Sequence, residues 1–578
     1  MKFCYSCGNK LSGTEKFCPK CGQRLEHAVQ PQAPAVSPVP ETPAVSQVEE
    51  SVQKGRNCSR HGVIFTDIKV LSELLGVSRD VILKLFGQYT DAMADADIDY
   101  RLVDVSDYKF VSKGAGRKGE RPSFHEDSPW WDYQHVLYDI ICHEKEKSLP
   151  ESNYLFIVGG HEVIPVPSIN HYVKDDPRLP DKDIETDLLY AYPYGPHTQY
   201  ALESTELYTQ EMYFFTGRLP IPAGAGLDYL VNYLQNALNV RHGFPVRKIY
   251  AQCDPHWKEL TAYLMSPYNK VGMLPDRSHI SGHYSYGNVM LGPDITHQYI
   301  AAMMEKDTDM IFLNLHGSDD PDDPDYSGQY PPQQERFATI FPVSAMSIPE
   351  GYNVFVTEAC FGGRFIGYDV MHSMIQAGLA HKTVIGVASS RVAFGGSHPP
   401  GGNADTLCGM FAAYLLSGYP AGDAMVMARS SFFGEDGMLS PHNAATLAEF
   451  NLFGDPCLRA IGVYEKDSKM KAPVSRNVAP KDFPCGYEEQ SIKSAAKERS
   501  LLDMVRGAVD ANVKAISDSI GKELYSKYGL PPREPETIKK LRYRNGKERM
   551  VFTYNTKSAS WVVTATPDGK IESVMSSK

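Results

Sequence analysis

Seven short, nearly continuous apolar runs recur along the middle of the chain. They are "YRLVDVS" from 100, "YLFIVGG" from 154, "YFFTGRLPI" from 213, "KIYAQC" from 248, "MIFLNLHG" from 310, "NVFVTEAC" from 353 and "TVIGVASS" from 383. Runs of this length, rich in β-branched and aromatic residues and bounded by turn formers, predict buried strands. Between them lie longer segments of helical period: "WDYQHVLYDIICHEKEK", "LDYLVNYLQNALNV", "ITHQYIAAMMEK", "YDVMHSMIQAGLA" and "DTLCGMFAAYLLSG". Strand and helix patterns in alternation predict an α/β body over 56–465, with a mostly parallel sheet flanked by helices. Several of the strands end in Gly, His or Cys, and the carboxyl edge of an open α/β sheet is where sites are built.

The flanks read differently. Residues 26–54 are rich in Pro, Ala, Val and Ser and predict an extended linker. Residues 466–490 are polar and Pro-containing, a second linker. From 491 to 578 a long helical pattern precedes alternating runs punctuated by Asn-Gly and Asp-Gly, which predicts a small α+β domain of one helix against an antiparallel meander. Residues 1–25 carry Cys4, Cys7, Cys18 and Cys21: two CxxC pairs separated by ten residues, each followed by Gly. Two such knuckles make a tetrahedral four-thiolate site, so this segment reads as a small zinc ribbon whose metal supplies its folding energy. Ribbons of this kind bind partners, and no particular partner can be read from the residues.

Composition narrows the function. With 578 residues, 42% hydrophobic and 22% charged, the chain is an ordinary globular protein of several domains. A net charge of -12 opposes general nucleic-acid binding and suits basic partners. No apolar run approaches the ~20 residues of a membrane helix. The start "MKFCYSCGNK" has no signal-peptide core, which predicts a reducing, cytoplasmic setting and eleven cysteines held as thiols or metal ligands.

The chemistry concentrates at two strand ends. "MIFLNLHGS" presents His316 and Gly317, and "VFVTEACFGG" presents Cys360. A thiol is a useful nucleophile as thiolate, and a nearby imidazole activates it. If the strands are neighbours, both side chains emerge at one edge. The N–H groups of Gly317 and Cys360 could then hold an oxyanion, and Gly362 and Gly363 would let a substrate approach. Other cysteines compete less well. Cys253 also ends a strand but lacks flanking glycines. Cys142 and Cys408 fall in helical patterns and read as core thiols, while Cys58, Cys457 and Cys485 lie near segment ends. His161, in "VGGHEVIP", reads as a structural or substrate-side group. The sequence contains no GxSxG, HExxH or GxxxxGK[ST].

These residues resemble the gingipain-type peptidases of the caspase-like clan CD. The resemblance rests on "LFIVGGHEVIP", "ETDLLYAYPYG", "FFTGRLPIP", "NLHGS", "TEACFGG" and "FNLFGDPCL", in that order. It implies a caspase-like fold and a cysteine endopeptidase with His316 as general base and acid and Cys360 as nucleophile. It further implies that Asp187 lies at the base of the S1 pocket, selecting substrates with basic residues, Arg and also Lys, because a buried carboxylate rejects neutral side chains. The resemblance assigns no acid to orient His316; Asp183 and Glu185, near Asp187 in sequence, are guesses for that role. The ribbon sets the chain apart from secreted gingipains and suggests a regulated intracellular protease. The Gly-rich basic loop "SKGAGRKGERPS", between a strand and a helix, offers Arg117 and Lys118 for self-processing, and Pro122 protects Arg121. The loop "SDDPDDPDYSG", 318–328, has five aspartates that could bind Ca2+ or attract basic substrates. Its spacing is not that of an EF-hand, and a solvated loop fits better. The alternatives to a peptidase are a catalytically inactive caspase-like scaffold with the ribbon as adaptor, and a ribbon-bearing regulator of nucleic-acid processing.

Overall fold

The computed structural model describes residues 2–3 and 10–11, most of 58–463, residues 520–522 and most of 535–577. The chain divides into two compact units, 1–54 and 55–578. In the first, strand Lys2–Phe3 pairs antiparallel with Lys10–Leu11. Cys4, Cys7, Cys18 and Cys21 lie outside the described residues, as do the linker at 466–490, Cys485 and most of "ITHQYIAAMMEK".

The second unit is built on one sheet of eleven described strands. Their spatial order is Ser285–Tyr286, Val289–Leu291, Ile249–Cys253, Met310–Asn314, Asn353–Thr357, Thr383–Ser389, Phe450–Gly454, Phe215–Leu219, Tyr154–Val158, Arg60–Thr66 and Ile98–Asp104. All seven runs read as strands are among them. The first half is parallel from Val289–Leu291 through Thr383–Ser389. The second half is parallel from Phe450–Gly454 through Ile98–Asp104. The two halves run in opposite directions, because Phe450–Gly454 pairs antiparallel with Thr383–Ser389. The mostly parallel expectation therefore holds within each half and breaks at their seam.

The central strands are buried from end to end: every residue of Met310–Asn314, Asn353–Thr357 and Thr383–Ser389 is inaccessible. A strand covered on both faces has no polar face to present, which is why its sequence is a continuous apolar run and not an alternation. The covering helices include Trp130–Lys147, Leu227–Asn239 and Ala404–Leu416, close to their predicted bounds. "YDVMHSMIQAGLA" is helical only over Met374–Ala380. Ser373 caps that helix by accepting from the Gln376 N–H, and Asp369 ties the preceding turn by accepting from the Met371 N–H.

At the far end of the chain, strands Thr537–Arg542, Glu548–Asn555, Ser560–Ala565 and Ile571–Ser577 form the predicted antiparallel meander. Its last strand pairs antiparallel with Phe394–Gly396 of the body.

Candidate active site

Three adjacent parallel strands deliver the site. Met310–Asn314 ends two residues before His316, Asn353–Thr357 ends three residues before Cys360, and Ile249–Cys253 ends one residue before Asp254. Because they run in the same direction, all three groups arrive at one edge of the sheet.

Gly317 and Cys360 meet directly. A Cβ built on Gly317 would fall 1.8 Å from the Cys360 carbonyl oxygen and 3.3 Å from its backbone nitrogen. Only glycine permits this approach, so the backbone after the histidine lies against the backbone of the cysteine. Cys360 is 5% exposed, and its Sγ lies 3.6 Å from the Ala393 carbonyl oxygen. The next residue, Phe361, has φ +56°, a left-handed conformation unusual for an aromatic residue. It is held by the bond from its N–H to the Arg391 carbonyl, and the Gly363 N–H bonds the Ser389 carbonyl. Gly362 and Gly363 prove to be packing positions. A Cβ on Gly362 would sit 2.4 Å from the Tyr326 hydroxyl, and one on Gly363 would sit 2.9 Å from the Ala388 carbonyl oxygen. Their lack of a side chain is required by the packing of the turn itself.

His316 is 8% exposed and held on several sides. Its backbone exchanges two 2.9 Å bonds with Ser327. The Trp257 ring lies 4.6 Å from the imidazole, and Phe337 meets it edge-on at 4.9 Å. Its Nε2 faces Asp254 Oδ2 at 3.7 Å. Asp254 is completely buried, and it also accepts from the His256 N–H and from the Gln329 N–H and sits 2.8 Å from His256 Nδ1. Burial alone would raise its pKa. The hydrogen bond from His256, the charges of His256 and His316 and the Gln329 amide overcome that effect and hold the carboxyl below its ordinary value. An anion facing Nε2 favours a proton there and leaves the imidazole lone pair on Nδ1.

Asp254 therefore takes the place considered for Asp183 and Glu185. Glu185 pairs with Arg391, and Asp183 lies in a strand opposite Asn170. The signal was present in "KIYAQCDP": a carboxylate following the strand next to that of the histidine.

Asp187 is not placed as an S1 acid. Its carboxylate accepts two hydrogen bonds from Arg218, Nε to Oδ2 at 2.7 Å and the terminal nitrogen to Oδ1 at 2.6 Å. Arg218 is wholly inaccessible and also donates to the carbonyls of Gly159 and Ile164, both at 2.9 Å. The Asp187 N–H bonds the Asn451 side chain. This buried pair ties together "VGG", "ETD", "GRLP" and "FNLFG", so the carboxylate neutralises an internal guanidinium and is not available to one on a substrate. His161 accepts a bond from the Val166 N–H in the same region, a structural role.

The other cysteines separate from the site. Cys253 is fully buried, and Cys408, also buried, points its Sγ at the Thr357 carbonyl from the covering helix. Cys457 is buried, and burial drives its thiol pKa well up. Beside Cys360 a small cavity is lined by Ser318, Asp320, Tyr326, Arg364 and Tyr368. Among the described residues, no group of three His, Cys, Asp or Glu could hold a metal ion. No described helix is long and apolar enough to cross a membrane.

Comparison with known proteins identifies the family. The profile of peptidase family C25 matches residues 139–461, more than half of the chain. No curated protein matches. Among solved structures, the Arg-specific cysteine proteinase gingipain R is similar at 15% identity and a TM-score of 0.40, over 71% of this chain and 79% of that one. A complex of Porphyromonas gingivalis RgpB pro- and mature domains is similar at 13% identity and a TM-score of 0.41, over 69% of this chain and 79% of that one. With the thiol and the imidazole brought to one sheet edge inside the matched span, the chain belongs to peptidase family C25, the gingipain family of cysteine peptidases.

Proposed function

We propose that the chain is an endopeptidase in which Cys360 attacks the scissile carbonyl, His316 shuttles the proton and Asp254 positions His316. The observation that carries this reading is the contact between the Gly317 and Cys360 backbones, which fixes imidazole and thiol at one edge. In the reaction, Nδ1 of His316 takes the thiol proton and Sγ bonds to the carbonyl carbon. The resulting oxyanion is placed to accept from the N–H groups of Gly317 and Cys360. His316 then gives its proton to the leaving amine, and a thioester remains. Water, deprotonated by the same imidazole, releases the acid and restores the thiol.

A preference for substrates carrying basic residues is supported by the aspartates of 318–328, since Asp320 lines the cavity shared with Cys360. The preference would be electrostatic and broad, because Asp187 is engaged by Arg218. Work in a reducing compartment accords with the thiols: among the described residues no cysteine is joined in a disulfide. The ribbon cysteines would hold one structural zinc, outside the chemistry. The test is labelling with an electrophilic peptide probe carrying a basic residue before the warhead. Cys360 should be the labelled residue, and Cys360→Ala should abolish both labelling and hydrolysis. Full hydrolysis by Cys360→Ala would refute the assignment.

A further inference from the structure

We propose that the C-terminal meander is an autoinhibitory latch: strand Ile571–Ser577 occupies the strand edge beside Cys360 that a substrate main chain would need. This rests on Cys360 being the nucleophile. The thiol lies 3.6 Å from the carbonyl of Ala393, the residue immediately before strand Phe394–Gly396. A peptide poised for attack has its carbonyl carbon about 3–3.5 Å from the sulfur, which brings its chain within reach of this strand. Extended peptides are held at such places by main-chain pairing to a free strand edge. Here that edge is taken. Phe394 pairs with Ser577, Gly395 with Ser576 and Gly396 with Met575, all antiparallel. The Ser397 N–H and hydroxyl extend the seam by donating to the Val574 carbonyl at 3.2 and 2.9 Å. The opposite side of the strand is occupied by the body itself, through the Gly395–Asn403 bridge and the Gly396 N–H bond to Asp405.

The latch is built to open. Its pairing spans only three residues and one serine, a short seam compared with the six- to eight-residue strands inside the meander. The strands sit at the end of a chain segment, 464–536, that separates them from the peptidase body in sequence. A tethered module of this kind rebinds intramolecularly, so a weak seam can keep the site closed until a competing ligand draws the meander away. Cys360 and His316 are 5% and 8% exposed with the seam in place, which is the baseline that its opening should change.

Strand alternation identifies the residue to change. The Val574 carbonyl points at the body, so the N–H and C=O of Ser576, two residues on, point the same way, at Gly395. Ser576→Pro therefore removes a hydrogen bond of the seam and spares the ladder to Ser560–Ala565. In the full chain it should raise the rate at which iodoacetamide alkylates Cys360, read by peptide mass, by at least tenfold. Hydrolysis of a short peptide should rise in parallel. Ser397→Ala, which leaves the meander untouched, should move both readouts the same way by several-fold, and it carries the test if Ser576→Pro unfolds the meander by hydrogen exchange. An unchanged alkylation rate in both variants would overturn the latch. So would faster alkylation with slower hydrolysis, because the strand would then be a working part of the substrate cleft. Alkylation reads accessibility whether or not Cys360 is the nucleophile, so failure of the catalytic assignment is seen separately, in Cys360→Ala.

Discussion

Replacing Asp254 by Asn tests the least visible part of the site. The side chain keeps its shape and stays within reach of His256 and Gln329, but the charge facing His316 Nε2 disappears. Two unit charges 3.7 Å apart attract by about 4 kcal/mol at an effective dielectric of ~20. Asp254 is shared with His256, whose Nδ1 lies closer, at 2.8 Å, so about half of this, ~2 kcal/mol, is the better figure for the imidazolium of His316. That corresponds to roughly thirtyfold in kcat/KM from charge alone. Asn can also present its carbonyl or its amide to Nε2, and the wrong choice puts the proton on Nδ1, where the base is needed, so the full loss should be larger, about 100-fold or more.

The pH profile separates this from a loss of packing. In the proposed mechanism His316 holds the thiol proton before attack, so the working state pairs a thiolate with imidazolium, and removal of the anion makes the imidazolium easier to deprotonate. The basic limb of kcat/KM should therefore move to lower pH in Asp254→Asn. Stability gives a second readout. The folded carboxyl is held below its ordinary pKa, so it contributes stability above the ordinary carboxylate range, lost as pH falls through the folded value. Asp254→Asn should remove that contribution and flatten the acid side of the stability curve. A variant with wild-type activity and an unmoved basic limb would refute the role; activity lowered equally at every pH would reduce Asp254 to a packing residue.

Gly317→Ala should lower kcat/KM by about 100-fold or more, because the new methyl overlaps the Cys360 carbonyl and displaces the Cys360 backbone; unchanged kinetics would contradict the close approach. Asp187→Ala should destabilise the fold by about 3–5 kcal/mol, since it leaves the buried Arg218 charge unpaired. Thermal unfolding would show this, and a stable variant that merely lost selectivity for Arg substrates would restore the S1 reading. Purified protein should carry about one zinc per chain by elemental analysis, lost with residues 1–25 while peptidase activity persists, on the chemistry of paired CxxC knuckles; zinc-dependent activity in the shortened chain would disprove it. Arg117 and Lys118, in an exposed loop, should be cut on prolonged incubation of wild type and not of Cys360→Ala, as intact mass would show, and equal masses would remove self-processing.

What could be read from the sequence was what each strand says about itself. Buried parallel strands have no polar alternation, so the continuous apolar runs marked Met310–Asn314, Asn353–Thr357 and Thr383–Ser389 directly, and the residues after them were visible as chemistry. What could not be read was pairing between distant residues. The reversal at the seam depends on "FNLFG" running antiparallel to Thr383–Ser389, and nothing in those five letters encodes direction. Strand Arg60–Thr66 begins with Arg-His-Gly and so lacks the bounded apolar start that identified the others. Asp187 illustrates the same limit in charge. Its carboxylate was plain, but Arg218, 31 positions later, decides what that carboxylate does. Asp254 is the converse case. It gained its meaning only when Ile249–Cys253 was placed beside Met310–Asn314, because "KIYAQCDP" alone does not say which strand lies alongside. The docking of Ile571–Ser577 onto Phe394–Gly396 extends the point. The meander was legible from its turns and alternation, yet its partner edge is a three-residue strand, Phe-Gly-Gly, with no strand signal of its own. Glycines suit such an edge physically: they bring no side chain to clash with an incoming strand, whether that strand is the chain's own or a substrate's.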